Sequence, residues 1–376
     1  MFLFNLSLED FRSYRQIYVN FSAPLILLQG ENAAGKTNLL EAIALLCTGR
    51  SFRGARDSEM ARWGAEGYSI RARLGNYDLP RTLLLNYGPE GRSLSLDGCY
   101  LSGWGDISGQ FPVVVFTPDD LQLLKGSPSL RRRFLDLILL QAQRSYRHHL
   151  HQYLRVLTQR NNLLRQLGPG HQAAAQLEVW DEQLVEHGSQ VIKRRLDLLA
   201  RLSPFMAEYY RGIAGEEMAV YACYHTELPI SRESGLREIA DAFHSRLRQL
   251  LGAEVLRGVT LAGPQRDDVQ FLLDGHDVRI YASQGQQRTL ALALKLAEVA
   301  LLREQTGKAP LFLLDDVMSE LDPRRRRLLL SSLPRPSQVF ITCTQREEEF
   351  SLLDPGVTTF FEVRDGGLLS ATCTGG

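Results

Sequence analysis

An α/β fold with a mixed sheet, split by an inserted antiparallel helical arm, is what this 376-residue sequence predicts. Three observations predict it. Short, wholly apolar runs (Leu25-Ile26-Leu27-Leu28, Val113-Val114-Val115-Phe116, Leu311-Phe312-Leu313-Leu314) read as strands buried on both faces. Helical periodicity follows the first run through Leu39, Leu40, Ile43 and Leu46, and precedes the last between 286 and 303. Between these α/β ends, no Gly or Pro interrupts residues 130–167, and residues 173–202 are helical again after Gly168-Pro169-Gly170.

Taken in order, Phe2, Phe4, Leu6 and Leu8 alternate at period two, as do Ile17, Val19 and Phe21, so the chain opens with strands. Residues 50–106 break into short β-like pieces at 68–74, 82–87 and 93–96, separated by Gly, Pro and Asn. Ser127-Pro128-Ser129 starts the helical arm, whose first limb would span about 55 Å at ~1.5 Å per residue. A helix at 236–251, β-like text at 269–273 and a last strand at 339–342 return the chain to the α/β pattern. The expected organisation is therefore a first lobe from 1–125 and 259–376, with a helical lobe inserted at 126–258.

Composition bounds the function. Hydrophobic residues at 44% and charged residues at 23% are those of a globular chain, which excludes disordered and collagenous classes. No stretch approaches the ~18 apolar residues of a membrane span, and no cationic leader precedes Phe2, so a cytoplasmic protein without a membrane partner is expected. Five scattered cysteines without C-x-x-C spacing read as reduced thiols rather than zinc ligands. The 43 basic and 43 acidic residues cancel, but eight arginines and one acid (Asp136) fall between Gly126 and Gln172. Alone, such a run is most simply a solvated helix face. His148, His149 and His151 lack an acid or cysteine at ligand spacing and read as part of that face.

Four motifs carry chemistry. Gly30-Glu31-Asn32-Ala33-Ala34-Gly35-Lys36-Thr37 matches G-x-x-x-x-G-K-[ST] with a strand before it and a helix after it. In that context backbone N–H groups curl around phosphate oxygens, Lys36 reaches the β- and γ-phosphates of ATP, and Thr37 ligates Mg²⁺. The strand ending in Asp315-Asp316 supplies a magnesium-side acid, Asp315, and a neighbour, Asp316, to polarise the attacking water. Ser283-Gln284-Gly285-Gln286 opens a helix 32 residues before Asp315; by itself the serine would be an N-cap. Ser319-Glu320-Leu321-Asp322 directly follows the acids.

In this order the four motifs resemble those of ABC-type ATPase heads, and more closely the RecF family of bacterial recombination mediators. The resemblance extends to Asp10-Phe11-Arg12-Ser13-Tyr14, Gly49-Arg50-Ser51-Phe52-Arg53, and Phe116-Thr117-Pro118-Asp119-Asp120-Leu121. It continues through Gly126-Ser127-Pro128, Arg131-Arg132-Arg133-Phe134-Leu135-Asp136 and Gly263-Pro264-Gln265-Arg266-Asp267-Asp268, covering nearly the whole chain. Gln265 stands where family members often carry histidine, and no Q-loop glutamine is assigned after Phe116.

The resemblance implies an ABC-type P-loop ATPase head in which Ser283, Gly285 and Gln286 bind the γ-phosphate of ATP held by an opposite subunit. Residues 319–322 would be a D-loop at the interface of that ATP-dependent homodimer, and Arg12 a further nucleotide contact. It further implies a weak ATPase of DNA replication, repair and the SOS damage response. Such a protein binds double-stranded DNA beside single-strand gaps and helps RecR and RecO to load RecA. In that light Arg131, Arg132, Arg133, Arg144, Arg147, Arg155 and Arg160 become candidate phosphate contacts, with Arg50, Arg53 and Arg56 a second set. Arg324 to Arg327 read instead as an interface or solvated-helix cluster. A transporter ATPase shares the four motifs but has no use for so long and arginine-dense an insertion, and an SMC-type ATPase needs hundreds of heptad residues. A metabolic P-loop kinase has no use for Ser283-Gln284-Gly285.

Overall fold

The computed structural model describes residues 1–167, 173–333, 337–344, 350, 354–364 and 366–371. The chain divides into two compact units, the first formed by Met1–Leu121, Tyr209–Glu216 and Arg288–Gly376, the second by Gln122–Glu208 and Glu217–Gln287. The division differs from the sequence expectation at three places: residues 122–125 and 259–287, the latter with Ser283, group with the helical lobe, and Tyr209–Glu216 groups with the first unit. Strand Asp268–Leu273 explains the grouping of residues 259–287, since it pairs antiparallel with Val220–His225 of the same unit.

Two six-stranded sheets build the first unit among the described residues. One is antiparallel, in the order Tyr14–Asn20, Phe2–Phe11, Tyr68–Gly75, Pro80–Gly88, Gly91–Leu96, Cys99–Tyr100. Its period-two pattern buries Leu6, Leu8, Ile70, Ala72, Leu83 and Leu85. The other sheet is mixed, in the order Gly367–Ala371, Thr358–Arg364, Leu25–Gln29, Val339–Cys343, Leu311–Leu314, Val113–Phe116. The runs at 25–28 and Leu311–Leu314, inside the sheet, are apolar throughout because they are parallel and buried on both faces, and Val113–Phe116 closes its edge. Helix Lys36–Thr48 shares one apolar core with both sheets through Leu39, Leu40, Ile43 and Leu46. Each such leucine contributes about 1.5–3 kcal/mol by leaving water. Gln338, fully buried, joins the sheets: its Oε1 accepts from Leu3 N at 2.7 Å and its Nε2 donates to Ala23 O at 3.1 Å.

The second unit is mainly helical, with helices Pro128–Ala142, Arg144–Gln166 and Leu236–Arg257, helix Ala173–Ala214 up to Glu208, and a three-stranded sheet among the described residues. Two expectations are corrected. The uninterrupted limb at 130–167 breaks at Gln143, whose φ of −135° and ψ of 109° are extended. No Gly or Pro marks the break; the Gln143 side chain is instead bonded by Arg194 Nη1 at 2.7 Å. Conversely, the helix expected to end near 202 runs to Ala214 through Pro204. The carbonyl that proline deprives of its donor, Ala200 O, accepts from Arg232 Nη2 at 3.3 Å instead. Gly168-Pro169-Gly170, expected to turn the arm, lies outside the described residues. No helix among the described residues is long and apolar enough to cross a membrane.

Candidate nucleotide-binding site

The phosphate loop is shaped by close backbone approaches that its glycines permit. A Cβ on Gly30 would stand 2.4 Å from Val363 O, so no larger residue fits without moving the sheet. Gly35 takes φ of +114°, and its carbonyl accepts from the buried Tyr14 hydroxyl at 2.9 Å. No side chain caps the helix that starts at Lys36, and its first turn holds no acid. Its first N–H groups therefore have no intrahelical acceptor, which suits an anion. Glu31, Asn32 and Ala33 are exposed on the loop, and Ala34 N closes a turn onto Glu31 O at 3.2 Å.

Lys36 folds back over this loop: Nζ donates to Gly30 O at 2.6 Å and to Glu31 O at 2.8 Å. Burial lowers its pKa, and the nearby Asp316, Cys343 and Asp315 only partly restore it. Beside it, Thr37 Oγ1 donates to Asp315 Oδ1 at 2.9 Å, and Thr342 Oγ1 donates to the same oxygen at 3.0 Å. Burial raises the Asp315 pKa against those two hydrogen bonds, and Asp316 raises it further. Asp316 sits at φ of +53°, a strained conformation held because its N–H donates to Thr342 Oγ1 at 2.8 Å. Thr342 thus fixes both acids at once. Sequence reading missed it; the available signal was a polar residue near the end of an otherwise apolar strand.

Arg12 lines a cleft of about 460 Å³ together with Ser13, Asn38, Arg53, Glu59, Ala61, Arg62 and Trp63. Asn38 Nδ2 donates to Ser13 Oγ at 3.0 Å, tying this wall to the residue next to Thr37. Ser319 Oγ donates to Asp316 O at 2.8 Å, and Asp322 caps the following helix through Arg325 N at 2.9 Å. Of the arginines at 324–327, Arg325 bonds Thr289 Oγ1 and Arg326 bonds the carbonyls of Met318 and Leu321, so these two brace the segment after the acids.

Ser283 belongs to the second unit. There it forms a reciprocal cap: its N–H donates to Gln286 Oε1 at 2.9 Å and its Oγ accepts from Gln286 N at 3.2 Å. The serine is exposed, while Gly285 and Gln286 are half-buried beside it.

The arginine run needs correction. Arg131 is 1% exposed and forks onto Asp268 at 2.7 and 2.9 Å, with Nη1 on Gly126 O. Arg160 is fully buried against Asp181, Glu254 and Thr260. Arg132 donates to Asp267 O at 2.6 Å. Arg131 and Arg160 are thus internal counter-ions that no phosphate reaches, and Arg132 is half-buried. Arg195 completes this network by bridging Asp136 and Pro264 O, so motif 131–136 is the socket for motif 263–268. Arg133, Arg144 and Arg155 remain exposed, as do Arg50, Arg53 and Arg56, while Arg147 is half-buried. His149 and His187 face each other, Nδ1 to Nδ1, at 3.2 Å beside His148, and no cluster able to hold a metal ion occurs among the described residues.

Residues 5–76 match the family described as "AAA domain". A protein of Heliobacterium modesticaldum named DNA replication and repair protein RecF is 45% identical over 342 residues, 90% of this chain and 91% of that protein. Its namesake in Symbiobacterium thermophilum is 44% identical over 370 residues, 97% of each chain. A solved structure described as the recombination mediator protein RecF-ATP in the RecFOR pathway superposes with a TM-score of 0.89 at 34% identity, covering 98% of this chain and 97% of that one. An Smc head bound to the winged-helix domain of ScpA superposes at 0.57 with 17% identity over 100% and 98% of the two chains, a likeness of fold alone.

Proposed function

This chain belongs to the RecF family of DNA replication and repair proteins, and from that premise we propose that it is an ATP-dependent DNA-binding protein that hydrolyses ATP at residues 30–37 and the acid pair. One observation carries the reading: Thr37 and Asp315, 278 residues apart, meet at 2.9 Å at the foot of a phosphate-shaped loop.

The residues present fit a nucleotide with Mg²⁺. Lys36 already lies over the loop and would exchange its two carbonyl acceptors for phosphate oxygens. Thr37 and Asp315 offer hard oxygen donors, and the buried Asp315 carboxyl, whose pKa is raised, gains most from a cation beside it. Magnesium, when bound, supplies neutralisation of phosphate charge. Asp316, oriented through its own N–H, would align the attacking water and accept its proton. Arg12, the exposed loop residues Glu31, Asn32 and Ala33, and the half-buried Ala34 complete the binding set.

Ser283, Gly285 and Gln286 serve a second copy: the exposed, capped helix start they form would meet the triphosphate of a twin. ATP then joins two chains, and each site is complete only in the homodimer. DNA is held by the arginines that remain exposed, on duplex beside single-strand gaps, with RecR and RecO as partners in loading RecA in the cytoplasm. Hydrolysis acts as a slow switch that releases the dimer.

The test is the ATPase rate as a function of protein concentration and of added duplex DNA. A rate rising with the square of protein concentration, and rising again with DNA, is expected. A rate linear in protein and indifferent to DNA refutes the proposal, and is what a single-chain kinase would give.

A further inference from the structure

We infer that Glu41 is a positioning residue of the nucleotide site: its buried carboxylate holds Arg12 and Arg53 as the cationic wall of the cleft beside the phosphate loop. The inference rests on the reading of residues 30–37 as an ATP site. Glu41 lies in the second turn of helix Lys36–Thr48 and is fully buried among Leu39, Leu40, Ala42 and Ile43. A hydrophobic residue would fill this position at no electrostatic penalty, whereas a buried carboxylate is tolerated only when its lone pairs are met. They are met by three partners. Arg12 forks onto it, Nε to Oε2 at 2.9 Å and Nη2 to Oε1 at 2.8 Å. Ser51 Oγ donates to Oε1 at 2.5 Å, and Arg53 Nη1 stands 3.8 Å from Oε2.

The fork fixes the plane of the Arg12 guanidinium, which a single contact would leave free to rotate. Its third nitrogen, Nη1, donates to Glu59 O at 2.7 Å, and the residue itself sits at φ of +52°. That backbone strain persists because three hydrogen bonds over-determine it. Ser51 Oγ in turn accepts from Arg53 N at 3.1 Å and Ala55 N at 3.3 Å, so Glu41 also anchors the turn that carries Arg53. Both arginines line the cleft, and Glu41 stands on the helix that begins with Lys36, so the cationic wall is set in the frame of the phosphate loop. Cations held in this way lose less rotamer freedom when an anionic ligand arrives, and so bind it more tightly.

The test is a double-mutant cycle on the full chain, with ATP and Mg²⁺ as the probe and calorimetric Kd as the readout. Glu41→Gln keeps the shape and removes the charge; ATP binding is expected to weaken about three- to tenfold, by the cost of ordering one or two such side chains. In an Arg12→Ala, Arg53→Ala background the same change is expected to add nothing, because its effect runs through those arginines. An unchanged Kd for Glu41→Gln overturns the inference, and so does an equal loss in both backgrounds, which marks a merely structural role. Should Glu41→Gln lack a cooperative thermal transition, Glu41→Asp, which keeps the charge but withdraws it by one methylene, decides by the same cycle. Failure of the wild-type chain to bind ATP overturns the reading of the site, and the inference with it; wild-type binding that Glu41→Gln leaves intact overturns the inference alone.

Discussion

Replacing Arg160 with methionine separates a DNA-contact role from a structural one. The guanidinium is fully buried, with Nε 2.6 Å from Asp181 Oδ1 and Nη1 2.9 Å from Thr260 Oγ1. Its Nη2 lies 2.7 Å from Glu254 Oε2, a contact by distance and charge rather than along a hydrogen-bond line. Glu254 is also fully buried. Methionine fills most of the stem but leaves two carboxylates facing a neutral thioether. Breaking one side of a buried pair costs about 3–5 kcal/mol. For a unit of this size that corresponds to a fall in Tm of roughly 6–20 °C. Circular dichroism melts and urea unfolding would measure it, with Arg155→Ala as an exposed control expected to stay within about 0.5 kcal/mol of wild type. Adding Glu254→Gln to Arg160→Met should recover part of the loss. If Arg160→Met instead melts like wild type while DNA affinity falls and the salt dependence drops by ~0.9 log unit, Arg160 is a phosphate contact and the burial argument is refuted.

Thr342→Val keeps the size of the side chain but removes the hydroxyl that bonds Asp315 and receives Asp316 N–H; ATPase turnover should fall about tenfold with little change in Tm, and an unaltered rate would show that the acids hold themselves. Ser283→Ala should abolish ATP-driven dimerisation, as read by light scattering, while leaving the ATP affinity of the monomer within about twofold; equal loss of both counts against the shared site. Burial would push the Asp277 pKa up, but hydrogen bonds from Arg279 and Gln270 outweigh it and hold the carboxyl down at about 2. Because the folded value is depressed, the stabilisation is present above the ordinary carboxylate range and is lost as pH falls through about 2. Asp277→Asn should therefore flatten the acid-side loss of stability, measured by urea midpoints between about pH 4 and pH 2; a slope equal to wild type would contradict the pairing.

Contiguity decided what could be read without coordinates. Gly30 to Thr37 is one uninterrupted motif, and the strand, loop and helix that give it meaning are its immediate neighbours in the chain. The same holds for Asp315 and Asp316, announced by the four apolar residues before them, and for Ser283 with its capping glutamine three residues on. Local propensity and burial pattern suffice there, because the interactions that shape these segments are made within a few residues. What only the tertiary structure decided is how distant charges pair. Arg131 and Asp268 are 137 residues apart, so a run that reads as a solvated basic face is in part the interior of a fold. Thr342 shows only a polar place in an apolar strand and Glu41 no signature at all; their importance lies in Asp315, Asp316 and Arg12, which chain folding alone brings to them. The break at Gln143 and the helix that continues through Pro204 follow the same rule, each set by an arginine from another segment rather than by the residue itself. A side chain's period along the chain says whether it faces inward; only the folded structure says what charge it meets there.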